Sequence, residues 1–326
     1  MKMENKKEIT GIQILRGLAS LAVLLCHASF TLTSYPKLAN FLFNGQFGVH
    51  VFFFISGYII IYSLIQNKYS VKHFFTFLAK RSVRIDPLYI ATIILTLTSF
   101  WLFSHFTSFK GKPIPFIFEQ FISHLLYIIP FTKWPFYNHV FWTLCIEFQF
   151  YIIIGIIYFI NNKWLFKAIF ILTFSLSCFI DVPDTYYMVT NYAPIFAMGI
   201  CLIEYQLSKN NVYILCYAIC GILTCFHFDL LILGLVIASS VVIILNNKKY
   251  LVLNFLGDIS YSLYLIHPLV LLYLSGIFKR FLPQLMHYQL IALFIQVLFS
   301  IAIAYVFYFL IEKPSLKFSK KIKIIS

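Results

Sequence analysis

Charge is scarce in this chain, and acidic charge is scarcer still: 11 Asp and Glu stand against 25 Lys and Arg in 326 residues, and charged residues make up only 11% of the whole. With 61% hydrophobic residues and a mean hydropathy of +0.88, a soluble globule of this size could not hide its apolar surface from water. The bilayer is therefore the expected solvent. No C-x-x-C pair occurs among the seven cysteines, Cys26, Cys145, Cys178, Cys201, Cys216, Cys220 and Cys225, which all lie in or beside apolar runs. They read as small apolar residues, not as a disulfide framework or a metal site. No single basic patch is present either. The positive charges form short clusters between apolar runs, which argues against a nucleic-acid partner and for topology signals. No internal repeat is visible, and neither end has the composition of an appended soluble domain.

What the chain has is apolar runs. Crossing a bilayer by helix takes about 20 mostly apolar residues. Ten segments qualify, over 12–33, 47–66, 86–104, 141–160, 164–181, 192–207, 212–228, 230–246, 260–278 and 288–311. The expected fold is all-α: one polytopic membrane domain, 1–326, with about ten transmembrane helices. Its N- and C-termini are expected in the cytoplasm, because that orientation puts most of the 25 Lys and Arg on the inner side. The stretch 115–131 is apolar but contains Glu119, Gln120 and His124. Counting it as a span would move Lys163, Lys209, Lys248, Lys249 and the basic tail outside, so it is read as an interfacial or re-entrant part of an outer loop, 105–140. Lys2, Lys6 and Lys7 precede the first run as they would in a signal peptide, but Arg16 and the length of the run argue against cleavage.

The inner loop 67–85 carries Val71, Phe74, Phe75 and Leu78 at helical spacing, with Lys68, Lys72 and Lys80 opposite. This predicts an amphipathic helix lying on the inner surface. It ends in Arg81-Ser-Val-Arg84 before Asp86-Pro87. Two arginines one turn apart suit a multiply charged phosphate ligand, and suit equally a topology or headgroup anchor.

Ionisable residues at depth are costly, by some scales about 2.5 to 3.5 kcal/mol at a helix centre, so each calls for a partner or a task. Arg16 and His27 lie eleven residues apart in the first span. They share nearly one helix face with an axial offset of roughly 16 Å, which puts Arg16 toward the cytoplasm and His27 toward the outside. Glu147 in the fourth span lies at about His27's depth and could orient the imidazole, or it could be a neutral buried carboxyl or pair with another helix. His50 stands near the outer end of the second span, and Ser260, Tyr264 and His267 form a polar stripe on the ninth, before Pro268. Glu312 and Asp258, at inner ends, are candidate partners for Arg16.

Taken together, several segments resemble the acyltransferase family 3 proteins, membrane enzymes that O-acetylate bacterial cell-surface sugars. The resemblance spans essentially the whole chain. It is carried by Leu15-Arg16-Gly17 with His27, by Gly48-Val-His50-Val-Phe-Phe with Ser56-Gly57, by Arg81-x-x-Arg84 before Pro87, by Trp142 to Tyr151 around Glu147, and by Gly257-Asp-Ile-Ser-Tyr-Ser-Leu-Tyr-Leu-Ile-His267-Pro. It implies a multi-pass protein of the inner (plasma) membrane that takes acetyl from cytoplasmic acetyl-CoA, with no metal, to a lipid-linked or polymeric glycan such as a lipopolysaccharide O-antigen or capsule. On this reading His27 and Glu147 are catalytic, Arg16, Arg81 and Arg84 hold the donor, and His50, Trp142, Tyr264 and His267 meet substrate. His50 departs from the family, where many relatives carry an acidic or amide residue. His27 could act as a general base or form an acyl-histidine. The alternative class is a transporter or exporter whose polar groups line a pathway.

Overall fold

The computed structural model describes residues 10–105, 116–180, 185–246 and 248–323. The lysines before the first span and the residues 106–115 of the 105–140 loop lie outside this set. Among the described residues the chain is helical throughout and contains no strand.

The first span is α1, Thr10–Ala28, extended by a turn over Ser29–Thr31. A short exposed helix, α2, Pro36–Phe43, leads into α3, Gly48–Gln66. The next helix, α4, runs 31 residues from Phe74 to Ser104. This corrects the surface helix expected over 67–85. From Phe74 onward that segment is continuous with the third span, straight through Pro87, and Phe77 and Arg81 are buried in the bundle. Only residues 67–73 remain outside α4, Val71–His73 among them as a short turn. A proline ring removes an intrahelical bond, and near the break the Tyr261 hydroxyl donates to the Ile85 carbonyl at 3.0 Å.

From residue 116 onward, the apolar stretch 115–131 forms no helix long enough to cross. It forms α5, Phe118–Leu125, eight residues long, or about 12 Å. His124 fixes it in place: its Nδ1 lies 3.0 Å from the Tyr89 hydroxyl, and its Nε2 accepts from the Tyr137 amide at 3.3 Å. Burial holds this imidazole's pKa down at about 4, so His124 is neutral.

The remaining helices are α6, Trp142–Ile153, continued by a π-turn to Tyr158; α7, Trp164–Leu176; α8, Ala193–Ser208; α9, Val212–His227; and α10, Leu230–Leu245. After these come α11, Leu251–Asp258; α12, Ser260–Phe281; α13, Gln289–Phe307, with a π-turn over Tyr308–Glu312; and α14, Lys313–Lys321.

Every predicted span thus coincides with a helix. Among the described residues, six helical stretches are long and apolar enough to cross a membrane: Thr10–Thr31, Pro36–Gln66, Val71–Leu102, His139–Tyr158, Ser260–Phe281 and Gln289–Lys321. The helices α8, α9 and α10 have 16 residues each, a rise of about 24 Å against a hydrocarbon core of about 30 Å.

Packing centres on α1 and α3. Helix α3 lies on α8, and α1 on α11 and α12. Apolar helices in lipid gain little from burial against each other, so close backbone approach through small residues is what brings them together. A Cβ on Gly57 would overlap the Phe196 carbonyl oxygen, and one on Gly199 would overlap that of Phe54. Gly57→Val is therefore expected to force α3 and α8 apart at a cost of about 1–3 kcal/mol or more. The check is the yield of monodisperse protein after detergent extraction, which should fall sharply. Further from this contact, Lys167 and Glu204 form a buried ion pair of 2.6 Å, with Tyr158 also donating to Glu204 at 2.8 Å.

Candidate functional site

Two cavities lie along α1, one beside Arg16 and one beside His27. The first, about 140 Å³, is reached by Arg16 from α1, Arg81 and Arg84 from α4, Glu147 and Tyr151 from α6, and Glu312 from the π-turn after α13. Three guanidiniums thus converge from two helices that are far apart in sequence.

The carboxylates in this cavity are engaged elsewhere. Glu147 Oε1 accepts from Ser56 Oγ at 2.9 Å and from the Tyr151 hydroxyl one helical turn on. Glu312 Oε2 accepts from the Ser262 amide at 3.1 Å and from its hydroxyl at 2.6 Å. Among the described residues, neither carboxylate comes within ion-pair distance of the three arginines. Arg81 is 6% exposed, lies over the rings of Phe77 and Tyr151 at 5.5 and 5.7 Å, and leaves its Nε without a hydrogen-bond partner. A buried guanidinium with spare donors is costly unless an anion meets it, and the planar fork suits phosphate.

The second cavity, about 690 Å³, contains His27, His50, Trp142 and Tyr264 together with His139, His227 and Asp229. Val49 and Tyr264 line both cavities and form the wall between them. The Tyr264 hydroxyl is held by Thr143 Oγ1 at 3.0 Å.

At the edge of this cavity His27 is held by two acceptors. Its Nδ1 lies 3.0 Å from the Val23 carbonyl and 3.2 Å from Nε2 of His267, whose own Nδ1 lies 3.0 Å from the Leu263 carbonyl. A carbonyl oxygen can only accept, so the network assigns a proton to each Nδ1. His267 Nε2 is then an acceptor for the His27 N–H, and the lone pair of His27 Nε2 is left for a ligand.

This differs from the pairing expected on depth. Glu147 does not meet His27: α6 turns it toward Ser56 of α3 and into the arginine cavity. The orienting partner is His267, fully buried behind His27 and not on either cavity wall. Of the polar stripe on α12, Ser260 and Tyr264 do face a cavity. Of the two acids expected near Arg16, Asp258 bonds Gln13 at 2.7 Å, and Glu312 shares the cavity with Arg16, as Glu147 also does. The structure brings together Arg16, Arg81 and Arg84 as expected, and brings His50, Trp142 and Tyr264 to the cavity of His27.

Several lining residues are not apparent from the sequence reading. Tyr151 is detectable there, because it stands four residues after Glu147 and so on the same helix face. His227, the last residue of α9, and Asp229, just before α10, carry no local signal of their destination.

Comparison with known proteins agrees over most of the chain. A family model described as an acyltransferase domain (acyltransferase family 3) matches residues 9–311. A protein of Acidianus two-tailed virus named as an acetyltransferase, ORF330, is 30% identical over 286 residues, covering 78% of this chain and 81% of that protein. An O-acetyl transferase of Shigella phage Sf6 is 31% identical over 185 residues, or 52% of each chain. No solved structure matches.

Proposed function

The chain belongs to acyltransferase family 3, and from that premise we propose that it carries an acetyl group from cytoplasmic acetyl-CoA to a hydroxyl of a cell-surface glycan. One observation carries this reading: a cavity lined by three guanidiniums, that of Arg81 buried with its Nε unpartnered, shares a wall with a cavity that holds a histidine lone pair. An anionic donor and a neutral nucleophile need such neighbouring compartments.

All ten helices that coincide with predicted spans would cross the inner membrane, the 16-residue ones by locally thinning it. Both termini would be cytoplasmic, in keeping with the basic inner loops. The arginine cavity then faces the cytoplasm, where Arg16, Arg81 and Arg84 bind the phosphates of the donor. The pantetheine arm brings the thioester to the wall of Val49 and Tyr264. His27 Nε2 takes the proton of the acceptor hydroxyl as its oxygen attacks the thioester carbonyl. The C–S bond breaks, and the departing thiolate takes that proton back from the imidazolium. His267 Nε2, accepting from His27 Nδ1–H, holds the ring and stabilises its charged form, much as the acid does in a catalytic triad. Glu147 would instead balance the arginines when no donor is bound.

Membranes containing the protein, incubated with radiolabelled acetyl-CoA and a lipid-linked glycan fraction of the host, are expected to transfer label to the glycan. Label that stays out of the glycan in the presence of intact protein would overturn the reading. A transporter would instead move unmodified glycan across the vesicle membrane.

A further inference from the structure

The two cavities differ in charge as well as in size. The donor side gathers three arginines, whereas the described lining of the histidine cavity contains no Lys or Arg and a single acidic side chain, Asp229. Its walls are aromatic. Trp142 and Tyr186 lie with ring centroids 4.8 Å apart, and Tyr192 stacks on Phe228 at 5.8 Å and 25°. His50 sits among these rings, and its Nδ1 has no hydrogen-bond partner. Its polar side chains are mostly uncharged, imidazoles of His27, His50, His139 and His227 and the amides of Gln46 and Asn191, and two of them are fixed. Asp229 caps α10 by accepting from the Ile232 amide at 2.8 Å, and His227 Nε2 lies 2.7 Å from Asn191 Oδ1.

A ligand for such a site has apolar faces to lie on aromatic rings and hydroxyls to meet a few fixed polar atoms. It carries no negative charge, because the described lining offers an anion no Lys or Arg and sets the Asp229 carboxylate against it. The same protein supplies guanidiniums where it expects an anion. We infer that the acceptor ring is an uncharged pyranose, a neutral hexose, deoxyhexose or N-acetylhexosamine, seated on Trp142 and its aromatic neighbours, and not a uronate, a sialate or a phosphosugar. This rests on the acetyltransferase reading.

The test uses the full-length protein in its host membranes. Acetyl esters on the surface glycans are mapped by mass spectrometry with the gene deleted and restored, and methyl glycosides compete for transfer from labelled acetyl-CoA. Acetyl on a neutral ring, with neutral glycosides competing at least tenfold better than hexuronides, is expected. Acetyl on a uronate or sialate, or equal competition by hexuronides, would overturn the inference while leaving the enzyme reading intact. No acetyl ester dependent on the gene would overturn both. Trp142→Ala and Asp229→Ala should each raise the acceptor KM about tenfold or more, a change of about 1.4 kcal/mol, with the KM for acetyl-CoA unchanged. An unchanged acceptor KM would remove this cavity from acceptor binding.

Discussion

His27→Ala is expected to abolish acetyl transfer, a loss of about 10²- to 10⁴-fold or more from the general-base contribution, while the amount of protein in the membrane stays unchanged. The imidazole is held through Nδ1 by Val23 and His267, so its Nε2 is the group that remains for chemistry, and alanine removes it without touching the helix-packing glycines. Initial rates on membranes normalised for protein content provide the measurement, and retained activity would take His27 out of the mechanism. The neighbour separates positioning from chemistry. His267→Leu keeps His27 but removes its acceptor, so kcat should fall with both KM values little changed. The acidic limb of the pH–rate profile should move to lower pH, because protonated His27 loses a partner that favours the charged form. An unmoved limb would leave His267 a packing residue.

Arg81→Ala combined with Arg84→Ala is expected to raise the KM for acetyl-CoA by about 100-fold, since charge-assisted hydrogen bonds are each worth about 1.5–3 kcal/mol. The basis is the position of Arg81 over the rings of Phe77 and Tyr151 with its Nε unpartnered, at the cavity that Arg16 also lines. Lysine should not restore Arg81, because an ammonium has neither the fork nor the flat face that lies over the two rings. A KM unchanged in the double variant would return the motif to membrane anchoring.

Much of the fold and part of the site are legible in the amino-acid sequence. Helical spans announce themselves because lipid requires each apolar run to satisfy its own backbone hydrogen bonds, so local composition decides the element. Arg16 and His27 stand out as charge where charge is expensive, and Arg81 and Arg84 as two arginines one turn apart at the inner end of a span. The run 67–85 misleads because its apolar spacing is as consistent with a helix entering the bundle as with one lying on the surface. The sequence has no local mark of which face Phe77 and Arg81 will find.

The sequence by itself determined that this is a multi-pass helical protein and that α1 holds an arginine and a histidine on one face, three turns apart. Only the tertiary structure decided their partners. His27 meets His267 across 240 residues, while Glu147, expected at a similar depth, turns to Ser56 and into the arginine cavity. Depth along a helix is a local quantity, set by rise per residue. The direction a side chain faces in the bundle depends on how helices rotate and cross to seat glycines such as Gly57 and Gly199, and that is settled only when all of them pack together.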